Sequence, residues 1–222
     1  MSETARRTCE ATVAALDRDG EGVVECAGAR FSIPFAAPGD SFRLYLRDGE
    51  LREAERIGDG PNRVAAPCRH FETCGGCAVQ HLSDAVYGEW KRGLVVQALA
   101  RGRVAADVAP LVRMPPRSRR RARLSARATS AGCLLGFNAR RSHTIVDVTA
   151  CEVLAPKLAD MLPGLRRLLG EVLSPGQRAE VSLALAGGAA EVVVEGAPAP
   201  ALAARERLVA FAGKAGLARL VW

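Results

Sequence analysis

Aromatic residues are scarce, with two Trp, two Tyr and six Phe making up 5% of 222 residues. The core must therefore be built from alanine and aliphatic side chains, which dominate the 49% hydrophobic content. No stretch of about 18 uninterrupted apolar residues occurs, so no membrane-spanning helix is expected. The start, Met1-Ser2-Glu3-Thr4-Ala5-Arg6-Arg7, lacks the apolar run of a secretion signal, and a cytoplasmic location follows as the expectation. A glycine-rich strand-to-helix turn of the G-x-G-x-x-G kind is missing as well. Gly20-Glu21-Gly22 and Gly187-Gly188 fall in expected hairpins without a following helix and acidic partner, so no dinucleotide-type cofactor site is expected. Lysine is rare too, at 3 against 28 arginines, a bias that a GC-rich genome produces without functional demand.

Cysteine is present in an informative pattern. Seven cysteines, an odd number without a secretion signal, argue against a disulfide framework and for thiolate chemistry in a reducing compartment. Three lie in Pro67-Cys68-Arg69-His70-Phe71-Glu72-Thr73-Cys74-Gly75-Gly76-Cys77, and Cys151 follows much later in Ala150-Cys151-Glu152-Val153-Leu154-Ala155-Pro156. One short loop can aim three thiolates at a point and a remote fourth can close the site. Gly75 and Gly76 would permit positive φ and let amides approach the metal and its sulfides. A tight trio with one distant thiolate suits an iron-sulfur cluster better than zinc, whose structural sites usually come as two paired knuckles; unligated buried thiols remain the plainest alternative. His70 and His81 flank the loop and read as hydrogen-bonded structural residues. Cys9, Cys26 and Cys133, on alternating apolar segments, read as small buried core residues, and Cys133 has no nearby base that would make it a nucleophile.

The net charge of +7 is unevenly spread. Residues 1–60 hold 8 basic against 12 acidic residues, residues 61–150 hold 15 against 5, and residues 151–222 hold 8 against 7. A middle stretch of net +10 favours a polyanion as its partner. Seven arginines between 113 and 127, without one acid, would repel each other unless an anion neutralised them.

Residues 8–57 alternate in short apolar-polar runs, Cys9–Leu16, Gly22–Cys26, Arg30–Phe35, Phe42–Arg47 and Leu51–Ile57, and suggest a five-stranded barrel of the OB type. Gly58-Asp59-Gly60-Pro61-Asn62 reads as a linker. A first domain over 1–60 is therefore followed by a second over 61–222, which carries the cysteine loop 67–81, a helix over 83–100 started at Ser83-Asp84, and a basic hairpin over 117–141. Read with period two, Arg121, Arg123, Ser125 and Arg127 share one face and Ala122, Leu124 and Ala126 the other. A helix would also group Arg119, Arg123 and Arg127, but Ser130-Ala131-Gly132 before an apolar run favours strands. Arg140-Arg141-Ser142-His143 would extend the same basic surface. The candidate contacts for that polyanion are thus Arg117, Arg119, Arg120, Arg121, Arg123, Arg127, Arg140, Arg141 and His143. Farther on, Leu154 to Leu169 follow helical spacing with Pro156 in the first turn and Pro163 as a kink or break, then strands over 181–186 and 191–195, a helix over 201–214 and a strand over 217–222.

Taken together, Cys68-x5-Cys74-Gly75-Gly76-Cys77 with Gln80-His81, Arg119-Arg120-Arg121-Ala122-Arg123-Leu124-Ser125, Gly136-Phe137, Ser142-His143-x-Ile145-Val146-Asp147 and Cys151-x-Val153-Leu154-Ala155-Pro156 resemble the S-adenosylmethionine-dependent RNA (uracil-5-)-methyltransferases. The likeness is to the iron-sulfur members that modify 23S ribosomal RNA. It implies an α+β chain: an N-terminal TRAM barrel of the OB type, then a central α/β domain in which Cys68, Cys74, Cys77 and Cys151 ligate a [4Fe-4S] cluster beside an RNA-facing surface. It implies that the Rossmann-like domain is absent from this chain. In the family that domain binds S-adenosylmethionine, a cysteine adds to C6 of uracil, and a base removes the C5 proton after methyl transfer. The expectation is a monomeric, RNA-binding N-terminal part of a 23S rRNA methyltransferase, inactive alone, without membrane contact, with a structural cluster. The alternatives are a stand-alone iron-sulfur RNA-binding module and a zinc-stabilised ribosome-associated protein.

Overall fold

The computed structural model describes residues 6–222, Arg6 by its backbone alone, and the first five residues of the expected N-terminal domain lie outside it. The chain is mixed α+β, with three helices among the described residues. It divides into two compact units. The first reaches to Pro67 and resumes over Cys77–Arg113; the second comprises Cys68–Gly76 and Met114–Trp222.

The first unit begins with β1 (Arg6–Thr12), β2 (Ala15–Leu16), β3 (Gly22–Cys26), β4 (Ala29–Ile33), β5 (Ser41–Arg47) and β6 (Glu50–Gly58). Alternation sets the inner face: in β5, Phe42, Leu44 and Leu46 are buried while Arg43 and Tyr45 point outward. They join Val13, Val24 and Ile33 in one core. The hairpin tips at Ala27-Gly28 and Asp48-Gly49 have positive φ at both residues, the geometry that matches the twist of two-residue hairpins.

The sequence suggests a five-stranded barrel of the OB type over this stretch, and the described residues show its strands as follows. The strands form two separate three-stranded sheets, β1-β5-β6 and β2-β3-β4, with no closed ring among the described residues. The run expected as one strand from Cys9 to Leu16 breaks at Val13. There the Val13 amide donates to Asp40 O (2.8 Å) while the Ala14 amide donates to Val23 O (3.0 Å), so the chain leaves one sheet and enters the other. Cys9 and Cys26 are also corrected: they are joined by a disulfide rather than standing as separate core thiols, because β1 and β3 face the same core with Cα atoms 6.4 Å apart.

The stretch read as a linker is tied down. Asp40, fully buried, accepts from the amides of Ala37 (2.7 Å) and Gly60 (2.8 Å) and from Arg63 Nε and Nη2, the latter at 2.6 Å. Arg63 Nη2 also donates to Phe35 O, and Asn62 Nδ2 to Pro38 O. Gly60 lies so close to Gly39 that a Cβ would stand 2.3 Å from its carbonyl carbon. α1 (Asp84–Arg101) completes the unit, its Trp90 Nε1 donating to Asp17 O at 2.7 Å. Ser83 occupies the cap position without a side-chain cap bond.

The second unit is a five-stranded sheet, β7 (Arg121–Thr129), β8 (Gly132–Gly136), β9 (Arg178–Ala186), β10 (Ala189–Glu195) and β11 (Leu217–Val221), in the order β11-β10-β9-β7-β8. Two helices, α2 (Pro156–Val172) and α3 (Leu202–Ala215), connect it. All neighbours are antiparallel except β10 and β11, which are joined through α3. The core layers Leu158, Leu162, Leu165 and Leu169 of α2 against Leu124, Leu135, Val181, Leu183 and Val192 of the sheet. Pro156 takes the first helical position as expected, but Pro163 does not split the helix. It is exposed, on the side away from the sheet, and the leucine stripe on the other side holds the turn in place.

No helix among the described residues is long and apolar enough to cross a membrane.

Candidate functional site

From Arg121 onward the basic run forms a strand, the alternative that the following turn residues favour. Along β7, Arg121, Arg123 and Arg127 are exposed while Leu124, Ala126 and Ala128 are buried. The arginines just before it are tied to a neighbouring backbone, Arg117 from a turn with φ 55°: the Arg117 amide donates to Glu152 O (3.1 Å), the Arg119 amide to Val153 O (2.8 Å), and Arg119 O accepts from the Ala155 amide (2.9 Å). Arg117, Arg119 and Arg120 are all exposed.

Charge compensation across this run is uneven. Arg123 pairs with Glu180 of β9, Nε to Oε2 at 3.0 Å, and Ser125 Oγ donates to the other carboxylate oxygen at 3.1 Å. Arg113 pairs with Asp84 within the first unit. Among the described residues, Arg117, Arg119, Arg120, Arg121 and Arg127 make no ion pair. Five uncompensated guanidinium groups within eleven positions leave a strong local positive potential on the second unit. Half-buried Arg140, and exposed Arg141 and His143, lie in the loop after β8.

The first part of the cysteine loop, Cys68–Gly76, folds with the second unit. Turns carry it, with Phe71 N donating to Cys68 O (3.0 Å) and Cys74 N to His70 O (2.8 Å). Its glycines serve differently from the expectation, since neither Gly75 nor Gly76 has positive φ. Gly75 donates to Asn138 O at 2.9 Å, and an added Cβ would stand 2.6 Å from that same oxygen, so only glycine allows the approach. The Gly76 amide donates to Cys74 Sγ at 3.4 Å.

Cys151 is buried, 9% exposed, in the core of the same unit, and Cys74 packs against that core. His70 joins the two stretches: its Nε2 stands 3.3 Å from Thr149 Oγ1 and accepts from the Thr149 amide, two residues before Cys151. Accepting at Nε2 places the ring proton on Nδ1. The segment leading to Cys151 is held on β8 by Val146 N to Phe137 O (2.9 Å) and Val148 N to Leu135 O (3.0 Å). Arg166 of α2 locks it further, pairing with Asp147 at 2.9 Å and donating to Val148 O at 2.7 Å. Neither Arg166 nor Glu180 was singled out by the sequence, because each finds its partner only through tertiary packing.

Cys77, half-buried, starts the stretch that belongs to the first unit. Among the described residues, no group of three or more His, Cys, Asp or Glu side chains is gathered as a metal site. His81 is a buried residue of the first unit, edge-on to Phe35. Cys133 is buried, and that burial pushes its thiol pKa up, which keeps it protonated and unreactive.

No protein-family model matches the chain. Individual proteins do. An uncharacterized RNA methyltransferase of Brucella suis is 39% identical over 173 residues, 78% of this chain and 41% of its own length. One of Rhizobium meliloti is 31% identical over 220 residues, 94% of this chain and 52% of its own length. The 23S rRNA (uracil(1939)-C(5))-methyltransferase of Aromatoleum aromaticum is 33% identical over 218 residues, 93% of this chain and 50% of its own length. The chain thus spans about half the length of the curated relatives it matches.

Proposed function

The chain is homologous over most of its length to proteins named RNA methyltransferases, and from that premise we propose that it is the RNA-holding part of a 23S rRNA (uracil-5-)-methyltransferase. The observation that carries the reading is the set of five uncompensated arginines, Arg117, Arg119, Arg120, Arg121 and Arg127, on and before β7. Fixed guanidinium groups without internal partners bind phosphate oxygens and release counterions. In this reading the N-terminal unit plays the part of the TRAM module, and S-adenosylmethionine and the methyl-transfer residues belong to sequence beyond this chain. The chain alone binds RNA as a cytoplasmic monomer without transferring methyl groups.

Replacing Arg121 by alanine is expected to weaken RNA binding and to lower the slope of log affinity against log salt by about one. Arg123 is the weaker probe, because Glu180 already neutralises it. Fluorescence anisotropy of a labelled ribosomal RNA fragment across a salt series measures both quantities. An unchanged slope would place the phosphate contacts elsewhere.

The same reading gives Cys68, Cys74, Cys77 and Cys151 to a [4Fe-4S] cluster. Its support is the spacing of the four thiols, the Gly76 amide on Cys74 Sγ and the His70 tie to the stretch before Cys151. Its role here is to fix both ends of the basic segment, since the trio precedes the arginine run and Cys151 follows it. Anaerobic purification should give a brown protein with iron and acid-labile sulfide. A colourless protein that contains zinc would favour a zinc-stabilised RNA-binding module instead.

A further inference from the structure

The exposed face of the second unit's sheet carries a small cavity of about 170 Å³, lined by Ser125, Asn138, His143, Ile145, Glu180 and Glu195 among others. Strand register explains why these groups meet. Glu195 of β10 lies opposite Glu180 of β9, which lies opposite Ser125 of β7, so an acid, an acid and a hydroxyl form one row across three strands. Like charges directly opposite each other on neighbouring strands are unfavourable. Only Glu180 is compensated within this row, by Arg123 Nε at 3.0 Å and Ser125 Oγ at 3.1 Å. Those two bonds also hold its carboxylate in one orientation, while a carboxylate with about four acceptor positions keeps room for further donors. Asn138 Oδ1 is buried without a hydrogen-bond partner. A polar group so placed is costly unless a water or a ligand satisfies it.

From this arrangement we infer that the cavity receives one unpaired guanine base of the bound RNA. The inference rests on the RNA-binding reading above and adds a base preference to it. The volume is well below the roughly 300 Å³ at which ordinary small-molecule sites begin, so a whole nucleotide cofactor does not fit and a single planar base does. Ile145 supplies an apolar wall for the base plane. The Glu180 carboxylate is acceptor-only and asks for a donor-bearing edge. Guanine alone among the four bases carries adjacent N1–H and N2–H donors on its Watson–Crick edge, the edge that proteins read in splayed-out RNA. Uncompensated Arg121 and Arg127 share this face of β7 and would hold the neighbouring phosphates.

The test compares U-rich single-stranded oligonucleotides carrying one central guanine, hypoxanthine, adenine or cytosine, by fluorescence anisotropy with the full chain at fixed salt. Guanine should bind about tenfold better than hypoxanthine, which lacks the N2 amine. Glu180→Gln should erase that preference without lowering the salt slope, since it also frees Arg123, whereas Arg121→Ala should weaken all four ligands alike and lower the slope. Glu195→Gln, at an exposed position, gives a second variant should Glu180→Gln melt early. Equal binding of the guanine and hypoxanthine ligands by the unaltered protein overturns the guanine site and leaves the RNA reading standing. Failure of every oligonucleotide to bind overturns the RNA reading. Guanosine monophosphate, titrated while the amide resonances of Ser125 and Ile145 are followed, then decides the cavity: shifts there support a guanine site, and their absence overturns it.

Discussion

Replacing Asp40 by alanine is expected to destabilise the first unit by about 3–5 kcal/mol, the usual cost of breaking a buried ion pair from one side. The side chain is fully buried and Arg63 is 9% exposed. Removing the carboxylate strands the guanidinium and leaves the Ala37 and Gly60 amides without acceptors. These bonds join the β4–β5 connection to the chain after β6, so their loss frees both ends of the same strand pair. The pH dependence follows from the same contacts. Burial by itself would raise the Asp40 pKa, but the hydrogen bonds from Arg63, Gly60 and Ala37 together with the Arg63 charge outweigh it and hold the carboxyl below its ordinary value of 3.8. A carboxyl depressed in the folded state contributes stability that is complete above its unfolded pKa, about 3.9, and is lost as pH falls through the lower folded value. Urea unfolding at neutral pH and in the acid range should show the difference between wild type and Asp40→Ala shrinking only in acid. A difference of under 1 kcal/mol at neutral pH would contradict this account.

Alternation made most of the strands legible. Phe42, Leu44 and Leu46 in β5, and Leu124, Ala126 and Ala128 in β7, are the positions that period two puts inside, and they are buried. The leucine stripe of α2 was legible for the same reason at helical spacing. Hidden were the features decided between distant segments. The turn of the chain from one sheet to the other at Val13 depends on a bond to Asp40 O, and nothing local marks it. Gly58–Asn62 has the composition of a linker, yet the nearby Arg63 reaches a carboxylate 23 positions back in sequence and closes that stretch onto the sheet. Glu180, which neutralises Arg123 and lines the cavity on the sheet's exposed face, lies 57 residues from its partner. The arginine cluster could be counted from sequence, but which of its members are already compensated could not.

Replacing Cys151 by alanine should abolish iron loading and loosen the basic segment, whereas the same change at Cys133 should leave loading intact. The pair isolates ligation from packing. Both thiols are buried in one core, 9% and 8% exposed, and both substitutions remove one small polarizable group from it. If Cys151 were only a core residue, the two variants would lose similar amounts of stability, about 1–2 kcal/mol, with equal metal content. If it is the fourth ligand, Cys151→Ala also forfeits metal-binding energy, which is folding energy wherever the site does not exist in the unfolded chain. The loss should then spread. Arg117 and Arg119 rest their backbones on Glu152 and Val153, immediately after Cys151, so their amides should exchange faster in the variant. RNA affinity should fall with it, although no arginine has been altered. Iron and sulfide content per chain, amide exchange at positions 117–121 and RNA binding, measured on both variants after anaerobic purification, make the comparison. A full complement of iron in Cys151→Ala would move the fourth ligand to another residue, and equal exchange in the two variants would remove the metal centre from any part in holding the arginines.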